Sequence, residues 1–594
     1  MKPKQQISGA GSPVLQLALL LALAVLVPNQ LLAVGSWSAL ANTAADSVSS
    51  ALLLSDGTIM AANNPNDTNG DTGNIWYRLT PSSTGSYANG TWSTRAPMSY
   101  SRLFYSSCVL QDGRVFVAGG EYGTGAATAE IYNPTNDSWT TVNPPTSVLD
   151  PTQNSPTTGR AQGIIDAECK VLPNGNVLVA PISPKINKGT LIYNPTANTW
   201  SAGPATRNWV AESGFVKLPD GSLLTVDPDS TSSERYIPSL NVWTNDGVVP
   251  VSLWATLAGY VGETGPAFLL PDGRAVFFGG SGHTALYTPS GNNSAGNWVQ
   301  GPDIPSGLVS ADAPGAMMFN GKILLAVSPA PYESGGNPQF PTPTYFYEYN
   351  YNVGTTGAFT QVSSPTGGLT DSCASYQSTM LDLPDGTVLY CHIQQYSTTY
   401  SAYGKQLYVY TPDGSPLAAG KPTISSITAN GDGTYHLTGT LLNGISEGAA
   451  YGDDHQMDSS YPLVRATDGS GNVTYLRTYN WSSTQVMTGG TTETTEFSAA
   501  NLVSGNYSLV VVANGIASDP WPPAGALWVD FNYSGILQLG TFDLPDKTLT
   551  QAVTAVPTGG TINIKPGTSL ETFSRITKAM ELRAVGGSVK IGGP

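Results

Sequence analysis

One short pattern recurs seven times between residues 52 and 390: an apolar strand, an Asp-Gly or Asn-Gly pair, and a second apolar strand. An Asp-Gly or Asn-Gly pair between two apolar runs favours a type I′ turn, so each copy predicts an antiparallel β-hairpin. The copies read LLLSDGTIMA, CVLQDGRVFVAGG, CKVLPNGNVLVA, VKLPDGSLLTV, FLLPDGRAVFFGG, MMFNGKILLAV and MLDLPDGTVLY. Their turns fall at Asp56, Asp112, Asn174, Asp220, Asp272, Asn320 and Asp385.

A second signature follows most of these hairpins. It reads AEIYNPTNDSW up to Trp139 and TLIYNPTANTW up to Trp200, and Trp243 and Trp298 occupy equivalent places. An aromatic strand, an Asn-Pro turn and a Trp-bearing strand complete four strands per repeat. A four-stranded sheet cannot bury both faces alone, so repeats of this size predict the stacked blades of a β-propeller. Seven repeats predict seven blades.

The seventh repeat lacks its own Trp strand. After LYVYTP, residues 407–412, the chain continues as DGSPLAAGKP, whereas an isolated Gly-Ser-Trp stands at residues 35–37. A strand around Trp37 would complete the last blade and cover its open edge. The sequence therefore predicts that the N-terminal strand closes the ring.

Composition agrees with an all-β chain. Charged residues make up 11%, against about 25% in an average domain, while glycine and proline are abundant. The net charge of -16 reflects only 25 Lys and Arg residues, and no basic stripe is present that could neutralise phosphates. Nucleic acid is therefore not an expected partner.

The N-terminus predicts export. Lys2 and Lys4 precede an apolar run from Val14 to Val27, and small or apolar residues suited to cleavage surround Ala33. The run is shorter than the roughly 20 residues of a spanning helix. Residues 1–33 are thus predicted to be a signal peptide, with the mature chain secreted or in the cell envelope and without a membrane span.

Four cysteines follow in this exported chain, compatible with two disulfides or with free buried thiols. The pairs to test first are Cys108 with Cys169 and Cys373 with Cys391. The histidines show no metal-ligand spacing, and His392 beside Cys391 is interpreted as strand packing.

Three units are predicted after the signal peptide. Residues 34–421 form the propeller, and residues 422–531 carry alternating strands separated by Gly, Asn and Asp turns, typical of an Ig-like β-sandwich. Residues 532–594 contain a segment that resembles the opening coil of a right-handed β-helix. One coil cannot bury its own face, so this tail must dock on the sandwich, pair with another chain or stay loose.

The repeats resemble kelch motifs, and the likeness is greatest to the galactose oxidase and glyoxal oxidase family. RLFYSSCVLQDGRVFVAGG, residues 102–120, and SYQSTMLDLPDGTVLY, residues 375–390, carry it. The order of propeller and sandwich resembles the same family, and YGDDHQMDSSYPLVRAT, residues 451–467, stands where that family places a loop that reaches back to the propeller.

The resemblance implies a copper-radical site, but its ligand set is incomplete here. Tyr105 and Tyr376 match the family's two tyrosines, whereas Gln377 stands where a histidine should follow the second. Blade one has serines at 47, 49 and 50 in place of the cysteine that cross-links the first tyrosine. His455 lies in the sandwich loop, yet Asp453 aligns better with the family's histidine. We therefore expect no copper cofactor.

Two functional hypotheses follow from these patterns. The first is a binding or cell-envelope interaction protein that recognises carbohydrate or another surface polymer, since Trp, Tyr, Asn, Ser and Thr dominate a low-charge surface. The second is an enzyme, either a diverged galactose oxidase-like oxidase or a polysaccharide hydrolase or lyase. Copper content, peroxide release and glycan binding discriminate between them.

Overall fold

The computed structural model describes residues 35–64, 72–145, 148, 163–165, 167–181, 189–208, 210, 212–228, 230–255, 262–392, 404–451, 457–523, 525–572 and 575–592. Its architecture is all-β, with one short α-helix among the described residues, Leu549–Ala555. The predicted signal peptide, His455 and Asp453 lie outside these ranges. Among the described residues, no helix has the length and apolarity needed to cross a bilayer.

Each repeat forms a sheet of antiparallel strands in chain order. Blade one is Val48–Leu53, Ile59–Asn63, Trp76–Thr80 and Thr91–Arg95; blade two is Ser106–Val109, Val115–Ala118, Ala129–Asn133 and Ser138–Thr141; blade three is Ala167–Val171, Val177–Pro181, Leu191–Asn194 and Thr199–Ala202; blade four is Val216–Lys217, Leu223–Val226, Ser232–Ile237 and Val242–Val248. Blade five is Ala267–Leu269, Ala275–Phe278, Thr284–Thr288 and Asn297–Gln300; blade six is Gly315–Met317, Ile323–Pro329, Thr344–Asn350 and Ala358–Val362; blade seven is Ser378–Asp382, Val388–His392, Tyr408–Thr411 and Ser36–Ala39. Short strands Leu308–Val309 and Thr370–Asp371 extend blade six.

Ring closure by the N-terminal strand is confirmed. Ser36–Ala39 pairs antiparallel with Tyr408–Thr411, and Trp37 lies opposite Tyr410. The Trp37 ring packs 5.3 Å from Phe346 in blade six and 5.6 Å from Tyr390 in blade seven. The first and last propeller strands of the chain therefore share one blade, and the N-terminal strand covers the edge of Tyr408–Thr411.

The hairpins are confirmed, but the turn type is not the expected type I′. None of the seven Asp or Asn residues has a positive φ, whereas the glycine after each has φ between 72° and 87°. In blade one the Gly57 N–H donates to the Leu54 carbonyl at 2.9 Å. This is a type I turn followed by a left-handed glycine, and proline before the Asp or Asn in four copies favours it by presetting φ.

The aromatic signature links neighbouring blades. In blades two and three, Tyr132 pairs with Trp139 and Tyr193 with Trp200 across the two outer strands. The indole N–H of Trp139 donates to Ala96, at the end of blade one, at 2.9 Å. Trp200 likewise donates to the Val142 carbonyl, at the end of blade two, at 2.6 Å, so these two Trp residues fasten their outer strands to the preceding blade.

The sandwich follows the propeller as predicted. One sheet contains Thr423–Ala429, Thr434–Thr440, Thr492–Ser498 and Thr478–Tyr479, and the other contains Val473–Leu476, Leu463–Asp468, Gly505–Ala513, Ile516–Ala517 and Leu537–Gln538. Residues beyond 532, including Leu537 and Leu544, belong to its buried core. Position 531 is therefore not a boundary between cores.

The segment after residue 532 contacts the sandwich, since Leu537–Gln538 pairs with Gly505–Asn506 and Asn506 donates to Asp546 at 2.9 Å. Leu527–Val529, Thr561–Ile564 and Glu581–Ala584 pair in parallel, as do Gly567–Ser569 and Val589–Ile591. Parallel pairing between successive turns of the chain is typical of a β-helix. Leu527–Val529, which was predicted as part of the sandwich, pairs in parallel with Thr561–Ile564 of the tail.

All four cysteines are buried free thiols, so neither Cys108 and Cys169 nor Cys373 and Cys391 form a disulfide in this structure. Cys391 donates to the Val48 carbonyl of blade one at 3.0 Å, while Cys373 lies 3.5 Å from the Tyr390 hydroxyl. Tyr390 and Cys391 are consecutive strand residues and point to opposite sheet faces. Blade seven thus separates Cys373 from Cys391.

Candidate functional site

The two ends of the propeller differ in what covers them. The Asp-Gly turn end faces the sandwich: Ser55 donates to the Thr478 carbonyl at 2.8 Å, and Gln111 donates to the Trp481 carbonyl at 3.2 Å. In an antiparallel hairpin, the start of the first strand lies at the opposite end from the turn. The start of each innermost strand therefore lies at the other end of the propeller, which we call the mouth.

Residues 445–451 and 457–461 of the sandwich enter the central channel of the propeller, and we call these residues the axial hairpin. Its described residues contact the innermost strands of several blades, with Ala449–Ala450 pairing with Gly315–Met317 and Ser459 donating to Asp382 at 2.6 Å. Tyr451 donates to the Tyr376 carbonyl at 2.7 Å. The predicted return of this loop to the propeller is thus observed, and it extends to the mouth.

Both family-matched tyrosines lie where an innermost strand begins. Tyr105 precedes Ser106–Val109 and is buried, with its ring 6.5 Å from that of Trp76. Tyr376 precedes Ser378–Asp382 and is half-buried, with its ring 4.9 Å from that of Phe340. Tyr376 is therefore partly exposed at the mouth, whereas Tyr105 belongs to the propeller core.

The residues beside these tyrosines do not fit a copper-radical centre. The Gln377 side-chain oxygen accepts from the Ala374 N–H at 3.2 Å, so it caps a turn, and an amide is a poor replacement for imidazole at copper. Ser47, Ser49 and Ser50 are buried in blade one, and a serine has no sulfur with which to form a thioether.

Three residues at the mouth have left-handed backbone conformations. Phe104, Glu212 and Asp312 have φ of 52°, 56° and 50°. Each lies nine residues before the turn glycine of its repeat, in blades two, four and six. Such conformations cost about 1–3 kcal/mol in residues other than glycine and cluster at functional sites.

Aromatic rings and carboxylates meet at this end. The Asp312 carboxylate lies 3.4 Å from the hydroxyl of Tyr451, which also contacts Tyr376. The Phe104 ring lies 6.2 Å from that of Tyr122, which is 44% exposed. A two-stranded ribbon, Tyr332–Ser334 with Asn337–Gln339, stands beside Phe340. Ring faces beside carboxylates can stack on a polyhydroxylated ligand and accept hydrogen bonds from it.

Comparison with protein-family models gives a match to the Kelch motif over residues 102–146, which span blade two and its entry. This match and the observed blades decide the architecture. The chain contains a kelch-type β-propeller. A comparison with curated protein sequences gives no match.

Solved structures similar to this kelch-propeller chain have low sequence identity to it. A fungal alcohol oxidase of the AA5 family, in complex with copper, is 14% identical over 82% of this chain and 98% of its own, with a TM-score of 0.48. YjhT is 15% identical over 54% and 99%, with a TM-score of 0.33. A streptogramin B lyase is 11% identical over 64% and 98%, with a TM-score of 0.39. Their activities are not carried over to this chain.

The sequence alone did not single out Phe340, Asp312 or Tyr451. For Asp312 a signal existed, because the position nine residues before the turn glycine repeats around the kelch propeller. Phe340 and Tyr451 reach Tyr376 from a different blade and from the sandwich. No spacing within one repeat could indicate those two contacts.

Proposed function

We propose that this protein binds carbohydrate, or a related polyhydroxylated polymer of the cell surface, at the propeller mouth. The observation that carries the proposal is the half-buried pair of Tyr376 and Phe340, whose ring centroids are 4.9 Å apart. The export signal read from residues 1–33 supports a location where such polymers occur.

The mouth has the chemistry that sugar recognition requires. The apolar C–H face of a pyranose packs on an aromatic ring, while its hydroxyls need fixed acceptors and donors. Tyr376 and Phe340 supply ring faces, and Asp312 supplies a carboxylate beside the Tyr451 hydroxyl. The axial hairpin and the left-handed backbone at Asp312 hold these groups in place before a ligand arrives, which lowers the entropic cost of binding.

A binding role accounts for the residues better than copper-radical oxidation does. Gln377 is occupied as a turn cap, and blade one offers serines in place of the cysteine. The two tyrosines also have different surroundings, since Tyr105 packs in the core and Tyr376 borders the mouth. Two tyrosines without the imidazole and the thioether leave the radical chemistry without its ligand set.

The test is a glycan array with the full mature chain, followed by calorimetry on the best ligand. Tyr376→Ala and Phe340→Ala should each weaken binding about tenfold or more, a change of about 1.4 kcal/mol. Phe542→Ala is the matched control, because Phe542 is a 56% exposed aromatic residue in the tail. This control should bind like the wild type.

Three results would overturn the proposal: no glycan binding, binding that both mouth variants leave unchanged, or equal losses in the Phe542→Ala control. Copper content and peroxide release over sugars, alcohols and aldehydes are measured on the same preparation. Stoichiometric copper with peroxide release would replace the binding role with an oxidase.

A further inference from the structure

A cluster of metal-ligand side chains lies between blades six and seven, at the mouth end of blade seven, where His392 pairs with Ser378. Asp371 comes from the short strand Thr370–Asp371, which pairs with Thr344–Asn350 of blade six. His392 ends the strand Val388–His392 of blade seven, where Tyr390 shares its face because strand residues alternate. Cys373 follows Asp371 by two residues and completes the group.

The donor atoms already have nearly the spacing of a metal site. Asp371 Oδ2 lies 3.6 Å from His392 Nδ1 and 4.0 Å from Cys373 Sγ. One ligand atom from each of the three residues lies within 4.8 Å of the others. Tetrahedral zinc bonds of about 2.0–2.3 Å place ligand atoms roughly 3.3–3.8 Å apart. A contraction of about 1 Å or less would therefore bring all three into contact with one ion.

Neighbouring groups hold the donors in position. The Tyr390 hydroxyl donates to Asp371 Oδ2 at 2.9 Å, and the Ser372 N–H donates to the other carboxylate oxygen at 2.8 Å. The Thr344 hydroxyl donates to the Cys373 carbonyl at 2.8 Å. Outer hydrogen bonds of this kind orient the ligands of metal sites and strengthen binding. The three residues are also buried, with 3%, 2% and 9% exposure for Asp371, Cys373 and His392.

We infer that Asp371, Cys373 and His392 bind a zinc-class divalent cation that joins blade six to blade seven. Sulfur, nitrogen and oxygen donors together suit zinc, whereas calcium and magnesium prefer oxygen alone. On binding, the Cys373 S–H bond breaks, sulfur bonds to the metal, and the proton passes to the buffer. Three protein ligands leave a fourth position for water.

The same residues would also form a Cys-His-Asp nucleophilic set, but that use conflicts with their surroundings. A nucleophilic cysteine needs access to its substrate. Cys373 is only 2% exposed, whereas a metal ion needs no more than the space between the three donor atoms. Metal binding is therefore the chemistry that the geometry favours.

Cobalt is the probe, because thiolate ligation to Co²⁺ gives an intense near-ultraviolet charge-transfer band and tetrahedral geometry strengthens its visible bands. The full mature chain, reduced and freed of metal with a chelator, should bind one equivalent and show both features. Zn²⁺ should displace the cobalt and raise the melting temperature, because it binds the native state.

Cys391→Ala is the matched control for Cys373→Ala, since both thiols are buried and Cys391 faces blade one instead. The control should keep the charge-transfer band, and Cys373→Ala should lose it. His392→Ala should weaken binding tenfold or more. A band that survives in Cys373→Ala, or the absence of saturable binding in the wild type, would overturn the inference.

X-ray absorption on the zinc-loaded wild type removes any dependence on a variant that fails to fold. A sulfur atom at about 2.3 Å and an imidazole nitrogen at about 2.0 Å are expected around the ion. A shell of oxygen and nitrogen alone would place the metal elsewhere and overturn the inference.

Discussion

The ammonium group of Lys170 in blade three lies 2.9 Å from a carboxylate oxygen of Asp458 in the axial hairpin. Glu168 and Glu447 approach the same ammonium to 3.4 and 3.5 Å, and Lys217 lies 3.6 Å from Glu447. Every member of this network is almost completely removed from water. A network of buried ion pairs thus joins the axial hairpin of the sandwich to the innermost strands of the propeller, and each charge in it is compensated by its neighbours.

Removing Lys170 should destabilise this junction strongly. Lys170→Met leaves three buried carboxylates with one lysine, and breaking a buried ion pair by deleting one partner costs about 3–5 kcal/mol. Lys421→Met is the control, because Lys421 pairs with Asp519, whose side chain is 86% exposed. That pair should contribute about 1 kcal/mol or less. Thermal midpoints and limited proteolysis report the difference.

Restoring charge balance should recover part of the loss. Lys170→Met combined with Asp458→Asn removes one charge from each side, so the double variant should melt above Lys170→Met alone. Equal midpoints for Lys170→Met and Lys421→Met would show that the network contributes nothing to the junction.

Asp382 should make the stability of the protein depend on pH. Burial raises the pKa of Asp382 from 3.8 to about 6, while Ser459 donates to its carboxylate. The folded state therefore holds this proton more tightly than the unfolded chain does. Its contribution to stability is full below pH 3.8 and is lost as the pH rises through about 6. The loss amounts to about 3 kcal/mol at most.

Asp382→Asn keeps the hydrogen-bond acceptor and removes the titration. The difference in thermal midpoint between this variant and the wild type should change in favour of the variant as the pH rises from 4 to 7. Asp458, whose pKa burial and the charge of Glu447 raise to about 7, acts in the same direction and stays present in both proteins. Asp519→Asn is the exposed control, and parallel profiles for all three proteins would contradict the prediction.

The fold was predictable because its determinants are local and repeat. The Asp-Gly pairs and the Trp-bearing strands lie within single repeats, and the strand around Trp37 was assigned to blade seven because that repeat lacks its own Trp strand. The turn type was wrong because the residue before the Asp or Asn, often proline, lengthens the loop by one residue. The pairing of Leu527–Val529 with Thr561–Ile564 was not predicted, because its partners lie more than 30 residues further along the chain.

The site could be predicted only where residues share a repeat. Tyr376 was identified by its match, but its partners Phe340 and Tyr451 come from another blade and another unit. His392 was interpreted as strand packing beside Cys391, and its Nδ1 lies 3.6 Å from Asp371 Oδ2 on the opposite face of the sheet, a contact that the sequence did not indicate. Contacts between blades depend on how the blades are arranged around the propeller, and the spacing of residues within one repeat does not indicate that arrangement.

The closing strand should stabilise the whole propeller. Trp37 packs on rings from blades six and seven, and its indole N–H donates to the Ser363 carbonyl at 2.7 Å. Trp37→Ala should cost about 2–4 kcal/mol and lower the thermal midpoint of the propeller. Trp37→Phe keeps an apolar ring and should lose less. Deletion of residues 34–40 should lower the midpoint further, and unchanged melting of that deletion would refute ring closure as a source of stability.

Oxidation of the protein should link Cys108 to Cys169 and leave Cys373 and Cys391 apart. Cys108 and Cys169 lie on the innermost strands of neighbouring blades and share one buried cluster, where burial and hydrogen bonding with Cys108 raise the pKa of Cys169. A disulfide that closes a loop of this length would raise the free energy of unfolding by about 4 kcal/mol, because it restricts the unfolded chain. Peptide mapping after mild oxidation, under non-reducing conditions, should find this one linkage and two alkylatable thiols. A disulfide-linked peptide that joins Cys373 to Cys391 would contradict the observation that the two thiols lie on opposite faces of blade seven. Cys391 would have to leave its contact with Val48 to form it.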